Sequence, residues 1–153
     1  MSIEIRIDDL TGAQTRALVA HHHAQMHADS PPESTHALDI DALRAPEITL
    51  WSAWIGGEVA GIAALRQIDA SRGELKSFRT AEAHLGRGVA RALLRRIITE
   101  AETLGLDSLW LETGSGDAFD PARSLYSSEG FVECEAFPPY RPDPLSTFMT
   151  RAV

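Results

Sequence analysis

The sequence has few of the features that mark secreted, membrane-spanning or nucleic-acid-binding proteins. Cys134 is its one cysteine, so no internal disulfide can form and a reducing compartment is expected. No apolar run approaches the ~18 residues of a membrane span, and the N-terminus lacks the apolar region of a signal peptide. The 14 basic residues are outnumbered by 22 acidic ones, and a net charge of −8 argues against a nucleic-acid partner. We therefore expect a cytoplasmic protein that binds neither nucleic acid nor membrane.

The composition is that of a globular chain, with 44% hydrophobic and 24% charged residues. A length of 153 residues suits one domain, which we expect to span positions 1–153. The acidic balance has one local exception, a group of five arginines within eighteen positions. They are Arg79, Arg87, Arg91, Arg95 and Arg96. A basic cluster on an acidic chain favours a small polyanionic ligand over a polymer.

Hydrophobic periodicity and turn residues predict alternating helices and strands. Strands are expected at Ile3–Ile7, Ile48–Ile55, Val59–Leu65, Glu74–Thr80, Ser108–Glu112, from Phe131 onward and at Thr147–Arg151; helices are expected at Gly12–Ala28, Ile40–Arg44, Val89–Leu104 and Asp120–Ser128. Thr11 and Gln14 have the spacing of a capping box before the first helix. Val89, Leu93, Ile97, Ala101 and Leu104 form an apolar stripe, and Gly105 ends that helix. The pattern predicts a mixed α/β fold, an α+β mixed sheet flanked by helices in a single domain.

A glycine-rich turn, Gly86-Arg87-Gly88, connects a predicted strand to the long helix. Such a turn can present backbone N–H groups and a helix N-terminus to a phosphate, or it can simply be a tight connection. A Walker motif is excluded because Val89 and Ala90 follow Gly88 where Lys and Ser/Thr are needed. A dinucleotide-binding fingerprint is not matched either, because it needs three glycines within an early parallel βαβ unit.

Three stretches together resemble the GNAT superfamily of N-acetyltransferases. They are Glu74–Thr80, Leu85–Leu94 and Pro121–Phe131, which are similar to that family's fourth strand, its pyrophosphate loop with the following helix, and its C-terminal A-x-x-L-Y-x-x-x-G-F segment. The element order elsewhere also fits, so the resemblance covers nearly the whole chain. It implies a GNAT acyl-CoA N-acyltransferase fold and acetyl-CoA as co-substrate.

The resemblance also implies which groups bind the cofactor. They are Phe78, Arg79 and Thr80 beside the pantetheine arm, and Leu85, Gly86, Arg87, Gly88, Val89, Ala90 and Arg91 around the pyrophosphate. Two positions depart from the family pattern. Leu85 stands where Arg or Gln usually opens the loop, and Phe119 stands where Asn often precedes the tyrosine by seven residues. Backbone donors are therefore expected to carry most of the phosphate binding.

Acetyl transfer to an amine requires removal of a proton from the ammonium group and protonation of the departing thiolate. The resemblance makes Glu74 the first candidate for the base, with Glu112 as the second and a water chain as a third possibility. Tyr126 matches the family tyrosine that protonates the thiolate. The structural alternatives are a surface carboxylate at Glu74 and a core aromatic at Tyr126.

Five histidines fall between positions 21 and 36. The family's first helices shape the acceptor pocket, so we expect substrate contacts from His23, His27, Ser30, Ser34 and His36. His21 and His22 are expected on a solvated face. His23 and His27 have a spacing that suits zinc, but no cysteine ligand lies nearby and no metal is expected.

The sequence thus predicts an N-acetyltransferase that moves an acetyl group from acetyl-CoA directly to an amine in a ternary complex. The alternative is a non-catalytic acyl-CoA-binding or sensor domain on the same fold. The acceptor is expected to be a small-molecule or peptide amine, and dimers are frequent among similar proteins, so a homodimer stays open beside a monomer.

Overall fold

The computed structural model describes residues 2–153 and contains seven strands and four helices. The strands are β1 (Glu4–Ile7), β2 (Ile48–Ile55), β3 (Glu58–Gln67), β4 (Arg72–Thr80), β5 (Ser108–Gly114), β6 (Val132–Cys134) and β7 (Ser146–Ala152). The helices are α1 (Ala13–Asp29), α2 (Ile40–Leu43), α3 (Val89–Leu104) and α4 (Asp120–Ser128), with 3-10 turns at Pro32–Ser34, Glu82–His84 and Asp117–Phe119. This order confirms the predicted mixed α/β fold.

Several strand boundaries differ from the prediction by one or two residues, and two of these differences have clear local causes. Strand β4 begins at Arg72, two residues before the predicted start, because the Asp69 carboxylate accepts bonds from the backbone N–H groups of Ser71 and Arg72 and tightens the preceding turn. Strand β6 begins at Val132 rather than Phe131, because the Phe131 N–H closes helix α4 by donating to the Tyr126 carbonyl.

The predicted capping box at the start of α1 is wrong. The Thr11 hydroxyl donates to the Asp9 carboxylate instead of capping the helix. The Gln14 amide bonds to the carbonyl of Gly57 and the N–H of Val59, at 3.1 and 2.8 Å. Both side chains therefore serve contacts outside the helix, and Gly12 caps α1 without a side-chain bond.

The strands form one sheet in the order β1-β2-β3-β4-β5-β7-β6. Pairing is antiparallel throughout the described strands except between β4 and β5, which run parallel. Helix α3 begins beyond the end of β4 and crosses one face of the sheet to reach β5, as a parallel connection requires.

Helices cover both faces of the sheet. On one face, Val89, Leu93, Ile97 and Ala101 of α3 are at most 1% exposed, which confirms the predicted stripe up to Ala101. Leu104, the last predicted member, is 45% exposed, so the stripe ends one turn earlier. On the other face, α1 and α2 pack on the middle of the sheet. No helix in positions 2–153 combines the length and the apolar character needed to cross a membrane.

Gly61 on β3 lets helix α3 approach the sheet closely. A Cβ at this position would lie 2.7 Å from Val89 Cγ1 and 3.2 Å from Leu93 Cδ1. Contacts of that length force packed atoms to move. The first turn of α3, which follows the glycine-rich loop, is therefore positioned by the missing side chain of Gly61.

We predict that Gly61→Val lowers the free energy of unfolding by about 1–3 kcal/mol, because overpacking pushes α3 away from the sheet. Urea denaturation measures the loss. Gly116→Ala is the matched control, since a Cβ there meets nothing within 4 Å. Equal stability of the Gly61→Val variant and the wild type would contradict the close approach.

Candidate active site

Strands β4 and β5 pair at their beginnings and then separate. Their register runs from Arg72 opposite Ser108 to Leu75 opposite Leu111 and ends there. Strand β5 continues straight, paired with β7 up to Gly114. Strand β4 instead bulges, with Ser77 in the left-handed region at φ 57° and a shift of register against β3. The bulge bends β4 away from β5 and opens the sheet.

The opening is a cleft of about 550 Å³ that passes through the sheet. Helices α3 and α4 border it on one face, with the glycine-rich turn and Tyr126 in its lining. Helix α1 and the segment after it border it on the other face, with His22, Met26, Asp29 and His36. A ligand that threads between β4 and β5 therefore touches both faces of the sheet.

The glycine-rich turn has a backbone suited to an anion. Gly86 and Gly88 have φ values of 75° and 79°, and a Cβ at either position would meet nothing within 4 Å. Gly88 is the N-cap residue of α3 and has no capping side chain, so the first N–H groups of the helix lack a side-chain partner. These free donors and the helix dipole favour a phosphate group at this point.

The ten predicted cofactor residues mostly lie in the cleft lining. Phe78, Arg79, Thr80, Leu85, Gly86, Gly88, Val89, Ala90 and Arg91 all line it. Arg87 does not, and its guanidinium lies 3.2 Å from His84 Nδ1. Arg91 and Arg95 are paired with Glu129, at 3.0 and 2.6 Å, so part of the arginine cluster is already neutralised.

Tyr126 lines the cleft from helix α4. Its side chain is 6% exposed and packs edge-on against Phe78 and Phe131, each with ring centroids 5.9 Å apart. Burial, with a smaller contribution from the charge of Glu112, raises the pKa of the Tyr126 hydroxyl above its ordinary value. The phenol therefore stays protonated at neutral pH and can act as a donor.

Glu112 lines the cleft on β5 just past the point where the strands separate. Burial is the largest cause that raises the pKa of its carboxyl, opposed by a 2.8 Å hydrogen bond from Ser146 and by the nearby His36 and Lys76. A carboxylate with a raised pKa is a better proton acceptor than an ordinary one.

Glu74 is 1% exposed and lies outside the cleft lining. One carboxylate oxygen accepts two bonds from Arg66, at 2.9 and 2.7 Å. The other oxygen accepts from the Tyr140 hydroxyl and from Lys76 Nζ, the latter at 3.4 Å. Both oxygens are thus occupied by part-buried side chains. The sequence did not reveal this, because Arg66 and Tyr140 lie 8 and 66 positions from Glu74.

The histidine-rich segment contributes to the cleft differently from the prediction. Of the five predicted acceptor contacts, His36 lines the cleft, whereas His23, His27, Ser30 and Ser34 lie outside the lining. His23 and His27 contact each other, with their Nε2 atoms 3.2 Å apart, and Ser34 donates to Asp143. In positions 2–153 no group of three or more His, Cys, Asp and Glu side chains is arranged to hold a metal.

His22 was missed, and its predicted place on a solvated face is wrong. It is 6% exposed, because the stripe of α1 that faces the cleft runs through His22, Met26 and Asp29, spaced by four and three residues. The sequence does not show which of the three consecutive histidines is buried, because identical neighbouring residues produce no hydrophobic periodicity.

A sheet opened between two parallel strands, with a glycine-rich turn at one end and a protonated tyrosine inside, is the arrangement expected of a CoA-dependent acyltransferase. Comparison with known proteins agrees: the model of the Acetyltransferase (GNAT) family matches residues 15–131. The chain therefore belongs to the GNAT family of acetyltransferases, whose co-substrate is acetyl-CoA.

Individual relatives support this assignment. The chain is 54% identical to YsnE of Bacillus subtilis, named an uncharacterized N-acetyltransferase, over 97% of this chain and 99% of the relative. It is 39% identical to a protein of Azospirillum brasilense named IAA acetyltransferase, over 79% and 78% of the two chains. A GNAT family acetyltransferase from Elizabethkingia anophelis, solved with acetyl-CoA bound, has the same fold, with a TM-score of 0.74, 18% identity and coverage of 99% and 98%.

We predict that Gly88→Glu weakens CoA binding at least tenfold, because the new carboxylate points toward the pyrophosphate and the residue strains the helix start. Isothermal titration calorimetry with CoA measures the change. Gly56→Glu is the matched control, because Gly56 has a similar φ of 56° and open space but lies in the β2–β3 turn. Equal CoA affinity of the two variants would contradict the phosphate site.

Proposed function

We propose that the chain transfers the acetyl group of acetyl-CoA directly to an amine held in the same cleft, and that residues 1–153 form one catalytic domain. The observation that carries the proposal is the meeting of Tyr126 and Glu112 in the lining where β4 and β5 separate. One is a proton donor and the other a proton acceptor, and amide formation from a thioester needs both.

The cofactor enters from the face of the sheet that α3 and α4 cover. The backbone of Phe78 and Thr80 pairs with the pantetheine arm, and the turn from Gly86 to Arg91 holds the pyrophosphate. This follows the family pattern, and it is supported by the location of these segments along one continuous cleft. The thioester then lies in the gap between β4 and β5.

Glu112 is the proposed base in preference to Glu74. It lines the cleft, has one side-chain hydrogen bond and has a raised pKa. Glu74, itself buried, instead forms an ion pair with the part-buried Arg66, so its carboxylate is held by a partner outside the cleft lining. Its proposed role is to hold Lys76 and Tyr140 beside the acceptor part of the cleft.

The acceptor is an amine of a small molecule or peptide, and the relative named IAA acetyltransferase adds IAA to the compounds worth testing. The experiment that tests the proposed function is release of CoA thiol from acetyl-CoA across a panel of amines and IAA. Release that depends on an acceptor supports the enzyme. Tight CoA binding without release for any acceptor would favour the acyl-CoA sensor.

We predict that Tyr126→Phe lowers kcat about 10²–10⁴-fold while the Kd for acetyl-CoA changes little, because only the proton donor is removed. Steady-state kinetics and calorimetry separate the two quantities. Circular dichroism of the variant is the folding control, because Tyr126 also packs against Phe78 and Phe131. If kcat of Tyr126→Phe equals that of the wild type, Tyr126 is not the acid.

We predict different defects for the two glutamates. In the wild type, kcat/KM is expected to rise with pH as the Glu112 carboxyl ionises. The raised pKa of Glu112 places this rise above the usual pH range of a glutamate. Glu112→Gln is expected to abolish this pH dependence, because its amide does not ionise. Glu74→Gln instead lowers stability by about 1–3 kcal/mol, because the part-buried Arg66 and Lys76 lose the charged acceptor that they share. The reverse pattern would assign the base to Glu74.

A further inference from the structure

Arg79 is a half-buried cation in the cleft without a carboxylate partner. Its Nε donates to His22 Nδ1 at 2.9 Å, which is the one side-chain bond it makes within residues 2–153. No Asp or Glu oxygen of those residues lies within 4.0 Å of its guanidinium, whereas Arg66, Arg91 and Arg95 each have a carboxylate at 3.0 Å or less. Burial lowers the pKa of Arg79, and the more distant Asp29 only partly offsets this.

The guanidinium of Arg79 lies on the acceptor side of the sheet. It reaches His22 of α1, and α1 packs on the face opposite to α3. The glycine-rich turn and α4 border the cleft on the α3 face. The cofactor role predicted for Arg79 therefore suits its backbone in β4 better than its side chain.

His22 holds this guanidinium in place. Burial, together with the charge of Arg79, lowers the pKa of His22 to about 3, so the ring is neutral at physiological pH. A neutral ring that accepts at Nδ1 carries its hydrogen on Nε2. The bond to Nε of Arg79 leaves the outer edge of the guanidinium, with both terminal nitrogens, free for another partner. That edge has the fork geometry that matches a carboxylate.

Lys76, the other Lys or Arg that lines the acceptor side, already has partners. Lys76 Nζ donates to Tyr140 Oη at 2.7 Å and is paired with Glu74. Glu112 is the proposed base. Arg79 is therefore the cation in this part of the cleft that can bind an anionic group of the acceptor.

We propose that Arg79, oriented by His22, binds a carboxylate of the acceptor, so that the preferred acceptors are amines that carry a carboxylate, as amino acids do. The proposal rests on the proposed function and adds a substrate class to it. The acceptor then spans the cleft with its amine toward Glu112 and its carboxylate toward Arg79.

The test compares amino acids with their decarboxylated amines, such as phenylalanine with phenethylamine, in the thiol-release assay. The wild type is expected to prefer the amino acid by about 10–100-fold in kcat/KM, as a charge-assisted bond allows. Arg79→Gln is expected to remove that preference, mainly by raising the KM of the amino acid, so that the ratio of the two kcat/KM values falls toward one. Binding of N-acetylphenylalanine and N-acetylphenethylamine to the CoA complex provides the same comparison without turnover.

His22 variants separate orientation from folding. His22→Asn keeps an acceptor oxygen near the position of Nδ1 and is expected to retain the preference for the amino acid. His22→Leu fills the space without an acceptor and is expected to raise the KM of the amino acid while kcat stays close to that of the wild type.

Three outcomes would overturn the proposal. The first is that the wild type uses the amino acid and its decarboxylated amine equally well. The second is that Arg79→Gln keeps the wild-type preference for the amino acid. The third is that Arg79→Gln loses affinity for CoA, which would assign the side chain to the cofactor. Failure of the proposed function looks different, because no amine then releases thiol. In that case equal binding of the two N-acetyl compounds counts against the carboxylate site, and selective binding of N-acetylphenylalanine supports it.

Discussion

The separation of β4 from β5 is the constraint on which the site depends. The two strands exchange backbone bonds over four residue pairs, and then the bulge at Ser77 ends their pairing. Without this gap, acetyl donor and acceptor would face opposite sides of a closed sheet. In the proposed function, the gap lets a thioester enter from the α3 face and an amine from the α1 face, so that the two would meet between the strands. Gly61 contributes by letting α3 settle onto β3, which places the phosphate-binding turn at one end of the gap.

The buried charges have separate roles that follow from their partners. Glu74 is surrounded by Arg66, Lys76 and Tyr140, and such a saturated network favours a fixed geometry over proton exchange. Glu112 has fewer partners and a raised pKa, and it faces the cleft. Two carboxylates on neighbouring strands of the same chain thus differ in chemistry because their surroundings differ. The arginines differ in the same way. Arg79 is bonded to the neutral ring of His22, whereas Arg91 is paired with the carboxylate of Glu129.

Much of the fold and the lining of the cleft on the α3 face can be predicted from the sequence, because both depend on local signals. Each of these signals lies within one short stretch of sequence: the apolar stripe on α3, the glycines at 86 and 88, and the segment around Tyr126. The acceptor part cannot be predicted in this way. His22 contacts Arg79 across 57 positions, and Tyr140 contacts Glu74 across 66. Such contacts are set by packing of distant elements, so neither the burial of His22 nor the saturation of Glu74 has a sequence signature.

A crystal structure of the protein with bound CoA tests the central claim most directly. The account predicts pyrophosphate oxygens within hydrogen-bonding distance of the backbone N–H groups from Gly86 to Arg91. It also predicts the thiol between β4 and β5, within reach of the Tyr126 hydroxyl and on the path to Glu112. CoA bound with its thiol outside that gap, or with its pyrophosphate away from the start of α3, would contradict the account.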